Sequence, residues 1–331
     1  MNILIVCHLG KSIGLGHFSR SKTICKLLKK RFNANIYMLI QGDINFVKSN
    51  KIFKSYSFGF NVDLSSEVEK LKNFDIVFFD LHEKSINKNF KLFLKFLKGK
   101  GSKLVAIDGL INYHLYLDLI FIPSFYIKPI NLPNLNKRKI IYGWDCYLID
   151  DSIIPKKWEF GNSVLALSGG SDNFNLSLVW PPLLNNKLPI NTTLNWVTGP
   201  FARKIKKISF SKINFKKHYS KDSLSKIISI SNFAITVYGV AFFELLKAGV
   251  PTVVFSPYGR KDSKELKIIK KLNIALVASN KIDAVKKLAY LMKNRDLAKK
   301  ISKKAISKMN FKSESRLVYQ IKKLLKKKDK I

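Results

Sequence analysis

The stretch "NILIVCHLGKSIGLGHFSRSKTICKLLKK", residues 2–30, runs from a short apolar segment through a glycine-rich turn into an amphipathic helical pattern. An apolar run of six bounded by turn residues fits a buried strand, and the 17–30 pattern fits a helix with one apolar face. The same rhythm continues outward. Apolar runs at 35–41, 75–80 and 103–108 alternate with helical patterns such as 87–99. That alternation implies a parallel sheet covered on both faces. After "IIYGWDCYLIDDSIIPKKWEFGN", residues 140–162, it restarts with runs at 163–168, 193–199, 233–239, 251–257 and 274–278. The expectation is an α/β protein with two Rossmann-like domains, 1–150 and 163–313, whose parallel sheets face each other across a cleft. Residues 151–162 read as a linker, and 314–331 as a C-terminal helix that crosses back to the first domain.

The length of 331 residues fits two domains, and 47% apolar content supplies a core for each. Lysine plus arginine number 60 against 22 acidic residues, a formal net charge of +38. Such a field attracts polyanions, anionic headgroups or phosphorylated small molecules. The accompanying richness in Ile, Asn and Phe is what an AT-rich coding sequence also produces. No RNP-type aromatic stretch, zinc-ligand set or basic recognition helix accompanies the charge, so nucleic acid is not an expected partner. Cys7, Cys25 and Cys146 match neither a disulfide framework nor a metal knuckle and read as buried thiols of a reducing cytoplasm. The first residues lack the pattern of a secretory signal, and residues 2–7 are too few to span a bilayer. A cytoplasmic protein is expected. The segment "KKLLKKKDKI", residues 322–331, reads as a solvated helix end or as a peripheral contact with an anionic membrane surface.

Glycines in a strand-to-helix turn allow positive φ and close backbone approach to a ligand. The helix that follows points its free N–H groups and positive dipole end toward the carboxyl end of the sheet, where ligands of open α/β sheets bind. Gly14, Gly16 and His17 are therefore candidates for contact with an anionic substrate. The pattern G-x-G-H lacks the third glycine and the downstream acidic residue of a dinucleotide fingerprint, which argues against NAD. At a helix N-terminus the protonated imidazole is disfavoured, leaving a neutral His17 able to accept a proton. A histidine that merely caps the loop is the alternative.

In the second half, Gly169, Gly170 and Ser171 follow a strand, where their N–H groups could cradle a phosphate or simply form a βα turn. "FAITVYGVAFFELLKAGVPTVVF", residues 233–255, reads as a strand, a turn at Tyr238-Gly239, a helix starting at about Val240, and a Gly-x-Pro stop. Glu244 stands on that helix among Phe242, Phe243, Leu245 and Leu246, and a buried carboxylate needs hydrogen-bond donors. A ribose diol, beside a diphosphate seated on the helix terminus, would supply them.

Together, "IGLGHFSRS" (13–21), "YGWDCYLIDDSI" (142–153), "SGGSD" (168–172) and "ITVYGVAFFELLKAGVP" (235–251) resemble the UDP-2,4-diacetamido-2,4,6-trideoxy-β-L-altropyranose hydrolases of pseudaminic acid biosynthesis and their spore-coat polysaccharide relatives. These are similar in turn to the lipid II-forming N-acetylglucosaminyltransferases, all of GT-B fold. The likeness runs from residue 1 to about 280. It implies that His17 is the general base activating water for attack on the anomeric carbon, and that Gly14 and Gly16 shape the turn that admits the sugar. It further implies that Gly169, Gly170, Ser171 and the turn of Tyr238, Gly239 and Val240 hold the diphosphate, and that Glu244 holds the ribose. Tyr147 matches a family tyrosine. No metal or other cofactor is implied.

The chain also departs from that pattern. The hydrolases carry an acidic-His-Tyr-Gly segment with an active-site tyrosine; here residues 79–85 read "FDLHEKS". Their sugar-contacting amides are replaced by "YGRKDSKEL", residues 258–266, and the first strand ends "CHLG" rather than with an Arg-x-Asp. The leading expectation is a UDP-sugar hydrolase of nonulosonic acid or surface-polysaccharide synthesis, supported by the Gly143–Ile149 segment. A GT-B glycosyltransferase with a UDP-sugar donor is the alternative, favoured by the missing tyrosine. A non-catalytic nucleotide-sugar or polyanion binder is the third. The sugar, the acceptor and the oligomeric state are not fixed by these residues.

Overall fold

A computed structural model describes residues 1–42, 51–71, 73–124, 136–203, 210–219, 223–259 and 262–326. The last residues of 322–331 and two of 258–266 lie outside them. The chain forms two units: Met1–Leu148 with Lys312–Ile331, and Ile149–Phe311.

The first unit contains β1 (Asn2–Leu9), α1 (Gly16–Phe32), β2 (Asn35–Gly42), β3 (Lys54–Phe58), α2 (Leu64–Glu69), β4 (Ile76–Asp80), α3 (Phe90–Gly99), β5 (Lys103–Ile107), β6 (Leu119–Ile122) and β7 (Ile140–Tyr142). Its strands pair in parallel in the order β3-β2-β1-β4-β5-β6-β7. Every residue of β1 from Ile3 to Leu9 is buried, His8 included, because the strand is central and both faces are covered. In α1 the buried residues Phe18, Ser21, Ile24, Cys25 and Leu28 recur at helical spacing and lay one face on the sheet. The helix ends where Asn33 turns left-handed and donates its N–H to Lys29 O, with Lys29, Lys30 and Arg31 on the negative dipole end.

The second unit contains β8 (Ser163–Leu167), α4 (Leu176–Lys187), β9 (Thr193–Thr198), β10 (Asn214–Tyr219), α5 (Leu224–Ser229), β11 (Phe233–Val237), α6 (Val240–Ala248), β12 (Thr252–Phe255), α7 (Ser263–Leu272), β13 (Leu276–Ala278), α8 (Lys281–Lys293) and α9 (Arg295–Met309). Its parallel sheet has the order β10-β9-β8-β11-β12-β13. Both sheets therefore repeat the doubly wound order, with the point of reversal beside β1 in one and β8 in the other. The final helix, α10 (Ser313–Lys326), lies in the first unit, where Arg316 pairs with Asp145 and donates to Tyr142 O at 3.3 Å.

Several details differ from the sequence reading. Residues 151–162 are packed into the second unit rather than acting as a free linker. Lys156 N–H donates to Ala248 O, and Trp158 lies in the second core with its indole N–H on Asn232 O. The α3 helix starts at Phe90, not 87. Strands β3, β6, β7 and β10 have no counterpart among the apolar runs of the sequence: three of them are sheet edges with half-exposed residues, and β6 has only four apolar positions. Cys7, Cys25 and Cys146 are free and buried. Among the described residues, no helix is long and apolar enough to cross a membrane.

Candidate active site

The loop from β1 to α1 folds back on itself. Gly14 N–H donates to Gly10 O at 2.6 Å and Ile13 N–H donates to the same oxygen at 3.1 Å. This hairpin forces Gly14 to φ +88°, in the left-handed region, whereas Gly16 is already the first helical residue. Of the two glycines, only Gly14 is there for its φ. The loop delivers His17 to the second position of α1, at the carboxyl end of β1 and beside the point of reversal.

There His17 meets a group that the sequence reading passed over. Its Nδ1 lies 2.6 Å from Oδ1 of Asp80, the last residue of β4, whose side chain is wholly buried. Arg20, one turn further along α1, forks onto the same carboxylate: Nε donates to Oδ2 at 2.7 Å and Nη2 to Oδ1 at 2.6 Å. Nη1 of Arg20 donates to Asp108 Oδ2 at 2.6 Å, just past the end of β5. Burial by itself pushes the Asp80 carboxyl up, but the charge and hydrogen bonds of Arg20, joined by those of His17, outweigh it and hold Asp80 below its ordinary value. Burial likewise opposes the charge on Arg20, and Asp108 and Asp80 more than restore it. An ionised Asp80 can only accept, so Nδ1 of His17 carries the hydrogen of this contact, and in the neutral imidazole the acceptor is then Nε2. With 18% of the His17 side chain exposed, the pair can exchange a proton with a bound molecule.

Two further histidines stand close by. The His82 ring is 6.2 Å from that of His17 and its Nδ1 is 3.1 Å from Ser85 Oγ. His8 accepts the His82 N–H on Nδ1 at 3.1 Å and packs edge-on against Phe60. Burial, then the neighbouring His17, pushes His8 down to about 4, so it is neutral near pH 7. Tyr147 is buried after the turn Trp144–Cys146, its ring 6.1 Å from Trp144.

The second unit gathers the other expected residues at the ends of β8 and β11. Gly169 takes φ +88° and its Cα faces Val237: an added Cβ would sit 3.3 Å from Cγ2 of that residue. The loop is also pressed onto Gly199, where an added Cβ would stand 2.3 Å from Gly170 O. Ser168, Ser171 and Thr198 are buried there, and their hydroxyls have no partner among the described residues. Leu167 pairs with Val197, so Ser168 and Thr198 end neighbouring strands side by side. Asp172 closes the loop by accepting the N–H groups of Leu176 (2.8 Å) and Ser177 (3.0 Å) at the start of α4.

Across the reversal point, α6 begins at Val240 with Gly239 before it and no side chain capping its first turn. Gly239 is extended at φ 161° with open space where a Cβ would be, so glycine is not demanded there by the backbone. Tyr238 bonds through its hydroxyl to Glu265, and its ring lies tilted against Phe242 and edge-on to Phe243. Glu244 is only 9% exposed.

No protein-family model matches the chain, and no curated protein matches it. Solved structures do. MurG of Acinetobacter baumannii superposes with a TM-score of 0.63 at 14% identity, covering 98% of this chain and 100% of its own. UGT2 of Phytolacca americana, in complex with UDP-2-fluoro-glucose and pterostilbene, gives 0.62 at 12% identity over 98% and 99%. UDP-GlcNAc 2-epimerase of Neisseria meningitidis, bound to UDP-GlcNAc, gives 0.61 at 12% identity over 98% and 100%. The fold is therefore GT-B, with its two parallel-sheet α/β units, and at such identities the likeness extends to the fold alone.

Asp80, Arg20 and Asp108 are the residues that sequence reasoning missed. A signal was present: an aspartate closing the all-apolar "IVFFD", and an arginine on the buried face of α1, are both costly unless they meet.

Proposed function

We propose that this chain is an enzyme that transfers a glycosyl group from a UDP-sugar to a hydroxyl, with the His17–Asp80 pair taking the hydroxyl proton. The observation that carries the reading is the 2.6 Å contact that fixes His17 Nδ1 on a buried, ionised carboxylate and leaves Nε2 as acceptor. The attacking oxygen gives its proton to Nε2 as its lone pair forms the bond to the anomeric carbon. The bond from that carbon to the diphosphate oxygen breaks, and its electron pair leaves with UDP. Asp80 then faces an imidazolium and offsets its charge. The leaving diphosphate calls for fixed dipoles, and the N–H groups of Gly169, Gly170 and Ser171 with the uncapped start of α6 are of that kind. Glu244 is assigned to the ribose hydroxyls.

One of the similar structures holds UDP-GlcNAc, and another holds the UDP-sugar analogue UDP-2-fluoro-glucose together with a second organic molecule, pterostilbene, the pairing that transfer to an acceptor needs. This supports the transferase ahead of the hydrolase. Hydrolysis remains the second reading because water and an alcohol use the same base and leaving group, and the Gly143–Ile149 segment favours it. A nonulosonic acid or surface-polysaccharide role belongs to either reading. The test is to incubate the purified protein with a panel of UDP-sugars, with and without acceptor alcohols, and to follow UDP. Release that requires the acceptor supports transfer, release in water alone supports hydrolysis, and no release with any donor rejects both.

A further inference from the structure

Arg20 lies within the quoted stretch 13–21 and Asp108 closes the run 103–108, both with no role assigned from the sequence, yet they complete the surroundings of the His17–Asp80 pair. His17 and Arg20 are three apart on α1 and face the same way. Asp80 Oδ1 receives both His17 Nδ1 and Arg20 Nη2, and that Nη2 stands 3.5 Å from the His17 nitrogen itself. The groups that face His17 are thus Asp80 from β4, Arg20 from its own helix, His82 from the segment after β4 and His8 from β1. Asp108 acts from the end of β5 through the guanidinium.

The charges can be followed through one proton transfer. A lone His–Asp pair goes from −1 to neutral on taking a proton. Adding Arg20 would shift that to neutral becoming +1, an unfavourable change in a buried place. Adding Asp108 restores the change from −1 to neutral. Arg20 fixes the rotamer of Asp80 by a two-point fork, which a single-point partner could not do. Asp108 makes that fork compatible with proton uptake.

We propose that Arg20 and Asp108 are opposed positioning residues of this site: Arg20 aims Asp80 at His17 and lowers the proton affinity of the pair, and Asp108 raises it again. The proposal rests on the reading of His17 as the base, but its sign can be measured without turnover. The experiment follows the imidazole resonances of the full-length, 15N-histidine-labelled protein against pH, assigned with His17→Asn and His82→Gln, alongside the pH profile of UDP release. Arg20→Gln is expected to move the His17 titration to higher pH and Asp108→Asn to lower pH, each by about half a unit or more. Arg20→Lys, which keeps the charge and loses the fork, is expected to leave the titration near that of the native protein while lowering kcat with little change in KM.

Movement of both variants in one direction, or no movement in either, overturns the inference. If Arg20→Gln does not fold, Asp108→Asn decides alone, because the Asp108 side chain is 37% exposed and tolerates the change; anything but a downward shift then rejects the proposal. If His17→Asn retains full turnover, the base assignment fails, and the two opposite titration shifts still report whether the electrostatic design is as described.

Discussion

At the carboxyl end of the first sheet the polar groups are charged and hold one another: His17, Asp80, Arg20 and Asp108 are joined by contacts of 2.6–2.7 Å. At the corresponding strand ends of the second sheet the donors are neutral, and the buried carboxylate of Asp172 is turned onto the N–H groups of Leu176 and Ser177. Ser168, Ser171 and Thr198 offer hydroxyls, the loop 169–171 offers N–H groups, and the start of α6 adds its dipole. Two sheets with the same strand order therefore support opposite chemistry. A charged network changes its net charge by one proton at low cost, which suits a base. Neutral donors receive an anion without a buried cation to compensate in the unliganded protein, which suits the temporary holding of a diphosphate.

The comparison is broken most directly at His17. His17→Asn is expected to lower turnover about 10²–10⁴-fold with UDP affinity nearly unchanged, measured by UDP release and by titration calorimetry. If affinity and thermal stability fall together instead, the first unit's network is a structural cap and the contrast between the sheets is lost.

Acid should damage the first unit before the second. His8 is held at about 4 in the folded chain against an ordinary 6.5. As pH falls below 6.5 the unfolded chain takes up the proton first, so stability is lost progressively down to about pH 4. The linkage amounts to about 3 kcal/mol. The Asp80 contribution has the same sign but a lower window: it is present above the ordinary carboxylate value and is lost as pH falls through the depressed folded value. Urea unfolding from pH 7 to 4, followed by amide exchange in each unit, checks this, and His8→Asn should flatten the curve over the upper part of that range.

On the neutral side the expected effects are smaller. Glu244→Ala should weaken UDP binding by about 1–3 kcal/mol if its carboxylate accepts the ribose hydroxyls. Unchanged affinity in calorimetry would make it a helix residue only. Last, Gly199→Ala should cost about 1–3 kcal/mol of stability, since its methyl would run into the Gly170 carbonyl. Gly239→Ala should stay within about 0.5 kcal/mol because its surroundings are open. Thermal melts of the pair show which glycine the loop architecture depends on.

What the sequence made legible follows from period and punctuation. The central strands β1, β4, β8 and β11 are continuous apolar runs, and the glycine turns that follow β1 and β8 are where they were read. His17 stood out because a histidine behind glycines at a helix start is unusual. Its partner did not, because Asp80 is 63 residues away and ends a strand like any other terminal acid. Only the parallel pairing of β1 with β4 brings the two together, and pairing is not written in either segment alone. Gly239 is a different case: it reads as part of a turn at Tyr238-Gly239, and its backbone is extended with free space where a Cβ would be, so its conformation does not demand glycine.

The placement of sulfur gives the chain a built-in reporter. All three cysteines fall in the first unit. Burial pushes the Cys7 and Cys25 thiols up strongly and Cys146 up to about 12, so none presents a reactive thiolate while that unit is closed. The second unit contains no sulfhydryl at all. Alkylation of this chain therefore clocks the opening of one half and is blind to the other, and the order in which the halves give way can be read with no label added.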